Sequence, residues 1–192
     1  MPKGIRRWFF DQMVAWCVLF RRRDLALGYY GKMLELDPGD PLALASIAFQ
    51  TAQLGRRREA LAALDRLLAV TPEDAEAHFN RGFLLQDMHD REGAMAAFRR
   101  AIVLNPDHDR AHYGLALSLI AARRLEEALV PLKKNTKLQP MSPYGWYQLA
   151  RVQHDLGRTE ETQQVLDHLA RFEPKVARQL ERETGLRAST LS

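Results

Sequence analysis

Apolar residues return along this chain with two rhythms. Over short stretches they recur at spacings of three and four, as in Leu44, Ile47, Ala48 and Thr51 and then Ala60, Leu64, Leu67 and Leu68, and each stretch predicts a helix. Over the whole chain the pair of stretches repeats, and Pro38, Pro72, Pro106, Pro140 and Pro174 mark the period at 34 residues. Other columns keep the same register. Ala26, Ala60, Ala94, Ala128 and Thr162 form one, and Tyr30, Leu64, Phe98, Leu132 and Leu166 a second. Leu36, Val70, Leu104, Leu138 and Phe172 precede the prolines as a third, and Val14, Ala48, Gly82, Ala116 and Ala150 make a fourth.

Between the two helices of a period lies a break such as Leu54-Gly55-Arg56 or Leu156-Gly157-Arg158, where glycine takes the left-handed conformation that ends a helix. Between periods, Asp-Pro-Gly-Asp, Thr-Pro-Glu-Asp and Asn-Pro-Asp-His stop one helix and cap the next. The unit is therefore a helical hairpin, and the units are expected to stack without linkers. The spacing predicts five of them, over about residues 7–40, 41–74, 75–108, 109–142 and 143–174, within one domain. The small-residue columns mark close helix crossings, where a larger side chain would cost about 1 to 3 kcal/mol. After Pro174, Val176 and Leu180 share a face with Arg178, Glu181, Arg182 and Glu183 elsewhere, which predicts a capping helix over about 174–186 and a short disordered tail over 187–192.

The period and its columns resemble the tetratricopeptide repeat family over about residues 7 to 174. That resemblance implies an all-α, right-handed superhelical solenoid whose concave groove holds extended or helical peptides. Departures from the family pattern are local. Its early Trp is present only as Trp146, with Phe10, Leu44, His78 and His112 in the other repeats; Arg81 stands where Leu is usual and Asn135 where Ala is usual.

At 100° per residue, Glu76, Phe79, Phe83 and Gln86 fall roughly 90° to 150° from the packing stripe of their helix. By resemblance the groove is lined by this stripe and its counterparts: Leu42, Phe49, Glu76, Phe79, Asn80, Phe83, Gln86, Arg110, Tyr113, Leu117, Tyr144, Tyr147, Arg151 and His154. Phe49, Phe83 and Leu117 occupy a column that is usually polar and are expected to form an apolar strip for a partner. Phe79, Tyr113 and Tyr147 serve either the groove or the hairpin. Asn80 and Arg110 fit the family's carboxylate-binding version, but Ala45, Phe49 and Gly114 replace its other members, so a clamp for a peptide's terminal carboxylate is not expected.

The first helix is different, because Phe9, Phe10, Met13, Val14, Trp16, Cys17, Val18, Leu19 and Phe20 surround it almost completely. Three readings stand open: it folds beneath a later element, it pairs with another copy or a partner, or it lies on a membrane surface through Trp8, Phe9, Trp16 and Phe20 between flanking arginines. It is too short to span a bilayer, and Asp11 and Gln12 followed by Arg21-Arg22-Arg23 argue against a signal peptide.

Composition adds bounds. At 46% apolar and 27% charged the chain is globular, and its formal charge of +4 suits an anionic partner without requiring one. Arginines gather at the hairpin tips and carboxylates at the opposite edge, without the interleaved aromatics that base stacking needs, so nucleic acid is not an expected partner. The lone Cys17 reads as a buried thiol. There is no glycine-rich phosphate loop, metal cluster or nucleophile with its base, so no enzyme, cofactor or metal is expected. His78 and His112 are assigned to helix packing rather than a metal. The function expected is a non-catalytic adaptor that holds another protein, cytoplasmic or peripheral at a membrane, with self-assembly through the first helix as the alternative.

Overall fold

A computed structural model describes residues 3–189. Among these the chain is an all-α solenoid of paired helices, with no strand. It divides into two compact units, Met1–Asp90 and Arg91–Ser192.

The first unit holds α1 (Lys3–Leu19), α2 (Arg23–Leu36), α3 (Pro41–Gln53), α4 (Arg57–Val70) and α5 (Ala75–Asp87). Asp40 and Asp74 start α3 and α5 by accepting hydrogen bonds from the amides of Ala43 and Ala77, at 3.1 and 3.0 Å. Two adjoining cores fill this unit. Cys17, Ala26, Tyr30, Met33 and Ala43 make one, so the expected buried thiol is found, and Leu44, Ala48, Ala60, Leu64 and Leu67 anchor the other. Arg7 of α1 pairs with the buried carboxylate of Asp40, fastening α1 to the turn between the first two hairpins.

The second unit holds α6 (Arg91–Leu104), α7 (Asp109–Ala121), α8 (Leu125–Leu138), α9 (Pro143–Asp155), α10 (Thr159–Phe172) and α11 (Pro174–Thr184). Here two departures from the repeat pattern compensate each other. Asn135 is buried, and its amide donates to the carbonyl of Asp109 at 3.0 Å. Opposite it stands Gly145, where a Cβ would collide with the Asn135 oxygen. The larger residue at one position is accommodated by the absence of a side chain at the other. Gly114 relates to the fully buried Phe98 in the same way, since a Cβ there would lie 2.7 Å from the ring.

The hairpin tips show why glycine is only half of the turn signal. Gly55 and Gly157 have φ of 74°, but Arg21, His89 and Arg123, at the same place in the other hairpins, also adopt positive φ of 54°, 64° and 61°. These three accept a conformation that costs a non-glycine residue about 1 to 2 kcal/mol.

The capping helix is present as α11. It packs on α9 and α10, buries Ala177 and Leu180, and ends at Gly185 in the left-handed conformation. After α11, Gln163 donates to the Arg187 carbonyl at 2.8 Å, and the Ser189 amide donates to Asp167 at 2.7 Å. Residues 190–192 lie outside the described residues.

Candidate functional site

In the first unit α3, α4 and α5 enclose a cleft of about 340 Å³. Its floor is the core itself, through Ala48, Leu64, Leu67, Ala77 and Leu84. Phe49 from α3 and Phe83 from α5 both line it, and each is 60% exposed. Rings so placed lose water contact only when something else covers them. Asn80, Glu76 and Gln53 supply the polar lining, and Arg57 and Asp87 close on one another as an ion pair at the same cleft. Their mutual hydrogen bond lowers the Asp87 carboxyl from its ordinary range, and both side chains stay charged.

Other expected groove residues fall differently. Phe79 is only 9% exposed, so its ring belongs mainly to the interior although it lies one turn from Phe83. Asn80 and Leu42 are exposed and Gln86 is half-buried.

In the second unit Arg110 is exposed, Leu117 and Tyr113 are half-buried, and Tyr144 is 70% exposed. Burial pushes the Tyr113 phenol up, and a hydrogen bond with Gln148 opposes this. Tyr147 and Arg151 are already engaged by α11. The Tyr147 hydroxyl donates to the Glu183 carboxylate at 2.7 Å and accepts from the Gln179 amide at 3.1 Å. Arg151 lies 3.6 Å from Glu183 and over the Tyr147 ring, 5.7 Å from its centroid. Gln179 first and then Tyr147 and Arg151 hold the Glu183 carboxyl below its ordinary range, against the opposing effect of burial.

The histidines carry a role that sequence reasoning missed. The ring nitrogens of His78 and His112 meet the carbonyls of Pro72 and Pro106 at 3.0 and 2.9 Å, and the Trp146 indole donates to the Pro140 carbonyl at 2.8 Å. Histidine thus substitutes for tryptophan as a ring N–H donor to the proline that closes the preceding repeat. The signal was the shared column of His78, His112 and Trp146 six residues after each proline. No group of three or more metal-ligating side chains occurs among the described residues.

The outer face of α1 is the other exposed apolar feature. Trp8 is 63% exposed, Phe9 46%, Trp16 58% and Phe20 61%, and the Trp16 and Phe20 rings stack with centroids 5.5 Å apart. The inner face is covered by α2, with Cys17 buried and Phe10 and Val14 packed on the core. No helix among the described residues is long and apolar enough to cross a membrane.

Comparison with known proteins agrees with this architecture. Models of the tetratricopeptide repeat match residues 52–85 and 75–108. No curated protein matches the chain in sequence. Among solved structures, MamA is similar with a TM-score of 0.82 at 19% identity, over 97% of this chain and 99% of that one. YrrB, described as a TPR protein with an unusual peptide-binding site, has a TM-score of 0.78 at 19% identity over 90% of both chains. PilF of Pseudomonas aeruginosa has a TM-score of 0.74 at 18% identity, over 95% of this chain and 86% of that one. At such identities the likeness is one of fold.

Proposed function

This chain belongs to the tetratricopeptide-repeat proteins, and from that premise we infer that its first unit captures an apolar side chain of a partner protein between Phe49 and Phe83. Like its family it is a scaffold for protein–protein interaction and not an enzyme. The observation that carries the finer reading is the pair of large rings, each 60% exposed, on a cleft whose floor is apolar core.

A volume of about 340 Å³ lies at the small end of ligand pockets, roughly 300 to 1,000 Å³, which suits an anchoring side chain from a peptide or helix. Asn80 and Gln53 would meet the partner's backbone, and the Arg57–Asp87 pair offers one charge of each sign beside it. The peptide-binding site for which YrrB is described supports a peptide as the partner class.

The test is selection of binding peptides on the purified protein, followed by affinity measurement with the Phe49→Ser, Phe83→Ser double variant. Binding should fall at least about ten-fold while the melting temperature stays near wild type, because exposed rings contribute little to stability. Undiminished binding would place the partner elsewhere, and an unfolded double variant would assign both rings to the core.

A second reading rests on a separate observation, the apolar outer face of α1. It supports attachment of the scaffold through this helix, either to another copy or to a membrane surface.

A further inference from the structure

We propose that α1 lies flat on the surface of an anionic lipid bilayer, its outer face in the headgroup and upper acyl region and its flanking cations on the lipid phosphates. The proposal rests on the reading of α1 as an attachment surface and is independent of the Phe49–Phe83 cleft.

The geometry of the helix is the first ground. At 100° per residue, Trp8, Leu19, Ile5, Trp16, Phe9 and Phe20 fall within an arc of about 120°. The last of these extends the helix, since the Phe20 amide still donates to the Trp16 carbonyl at 3.0 Å. All six are at least 46% exposed, and Gln12 is the one polar side chain among them. The opposite side, through Phe10, Val14 and Cys17, is packed on the core. The helix therefore has a covered apolar face and an uncovered one. The uncovered face is rich in indole and phenyl rings, the side chains that suit the boundary between water and hydrocarbon. With 17 residues it is about 26 Å long, a dimension that fits a helix lying in the interface plane.

Charge selects the occupant. Lys3 and Arg6 stand near one end of α1, and Arg21, Arg22 and Arg23 directly follow the other, all exposed. Arg6 and the three that follow α1 form no ion pair among the described residues. The neighbouring carboxylates are taken, Asp11 by Arg7 at 3.2 Å and Asp24 by Arg56 at 3.1 Å. A second copy docked face to face would bring cations toward cations in either orientation, with no carboxylate on the face to answer them. A bilayer carrying anionic headgroups answers both the apolar face and its cationic ends, and basic residues beside such a surface strengthen binding in a salt-dependent way.

The experiment uses the full chain in sedimentation with vesicles of phosphatidylcholine alone and of phosphatidylcholine with about one part in three phosphatidylserine. Wild type should pellet with the anionic vesicles, about ten-fold more strongly than with the neutral ones, and less in high salt. Trp8→Ser with Trp16→Ser should lower the partition at least about ten-fold, and Arg21→Gln with Arg22→Gln and Arg23→Gln should remove the preference for anionic lipid. Both variants should keep wild-type helical circular dichroism. Quenching of the wild-type indoles by brominated phosphatidylcholine in the anionic vesicles reads the same insertion without any substitution.

A wild type that stays in solution with both vesicles, or one that binds both equally and is indifferent to the arginine changes, would overturn the proposal. A dimer in solution that Trp8→Ser with Trp16→Ser dissociates, without vesicle binding, would give the face to a second copy and leave the attachment reading standing. A monomer that binds no vesicle would remove both.

Discussion

Helices α1 and α11 each flank a helical hairpin core, yet they treat their apolar side chains in opposite ways. In α11 the apolar residues Ala177 and Leu180 are 3% and 0% exposed, and the polar Gln179 and Glu183 bond to Tyr147. α1 packs one apolar face on α2 and leaves a second uncovered, with Trp8 and Trp16 at 63% and 58% exposure. A single helix can bury about one stripe against a neighbouring hairpin. α11 has only that one stripe and is complete as a cap. α1 has more apolar surface than its own unit covers, and the proposed attachment rests on that surplus.

Leu180→Ala should have the largest effect in breaking this contrast. Removal of a side chain that is 0% exposed costs about 2 to 5 kcal/mol, read as a fall in the melting temperature. Melting like wild type would mean that α11 covers nothing of consequence. Next in size, Gly145→Ala should cost about 1 to 3 kcal/mol, because its methyl group meets Asn135, and Asn135→Ala should recover part of that loss. Additive losses in a double-mutant cycle would show that the two positions do not compensate.

A smaller effect is expected from Tyr147→Phe. The hydroxyl bridges to α11, and a hydrogen bond of this kind contributes about 0.5 to 1.5 kcal/mol at most in so exposed a setting. Its pH dependence has a definite sign. Glu183 is held below its ordinary range in the folded state, so its contribution is fully present above about pH 4.3 and is lost as pH falls through the lowered value. Tyr147→Phe should show a weaker acid-side loss than wild type, seen in melting temperatures across that range; equal losses would deny Tyr147 any part in holding the carboxylate. Smallest of all, Trp16→Ala should change stability by no more than about 0.5 kcal/mol, since the ring is mostly in water. A loss as large as that of Leu180→Ala would mean that α1 is a cap like α11 and would erase the distinction.

Particular residues show how far the chain could be read before its fold was known. Ala26, Ala60, Ala94, Ala128 and Thr162 were aligned by the period, and all five are 0% exposed. The tryptophan substitutes were visible as departures, but the common task of His78, His112 and Trp146 emerged only when their ring nitrogens were seen on proline carbonyls. Asn135 was likewise visible as an anomaly. Its partner Gly145 was not, since neither the period nor the propensity of either residue pairs a particular position of one helix with one on the next.

The candidate groove illustrates the same division. Phe79 and Phe83 sit about 40° apart on one helical wheel, so periodicity assigns them a common fate. The fold separates them, at 9% and 60% exposure, because a side chain's burial depends on which neighbouring helix passes over it. Tyr147 and Arg151 were placed in the groove by their column, and α11, from outside the repeating pattern, engages them.

Helix positions, hairpin order and the small-residue crossings were legible because they depend on local periodicity and on a repeat that states the same information five times. Which rings remain open to a partner, which carboxylates are spent on neighbouring arginines, and which face of α1 goes uncovered depend on how each helix packs against the next. Those contacts are set by packing, and a periodic pattern records that a face is apolar without recording whether anything arrives to cover it.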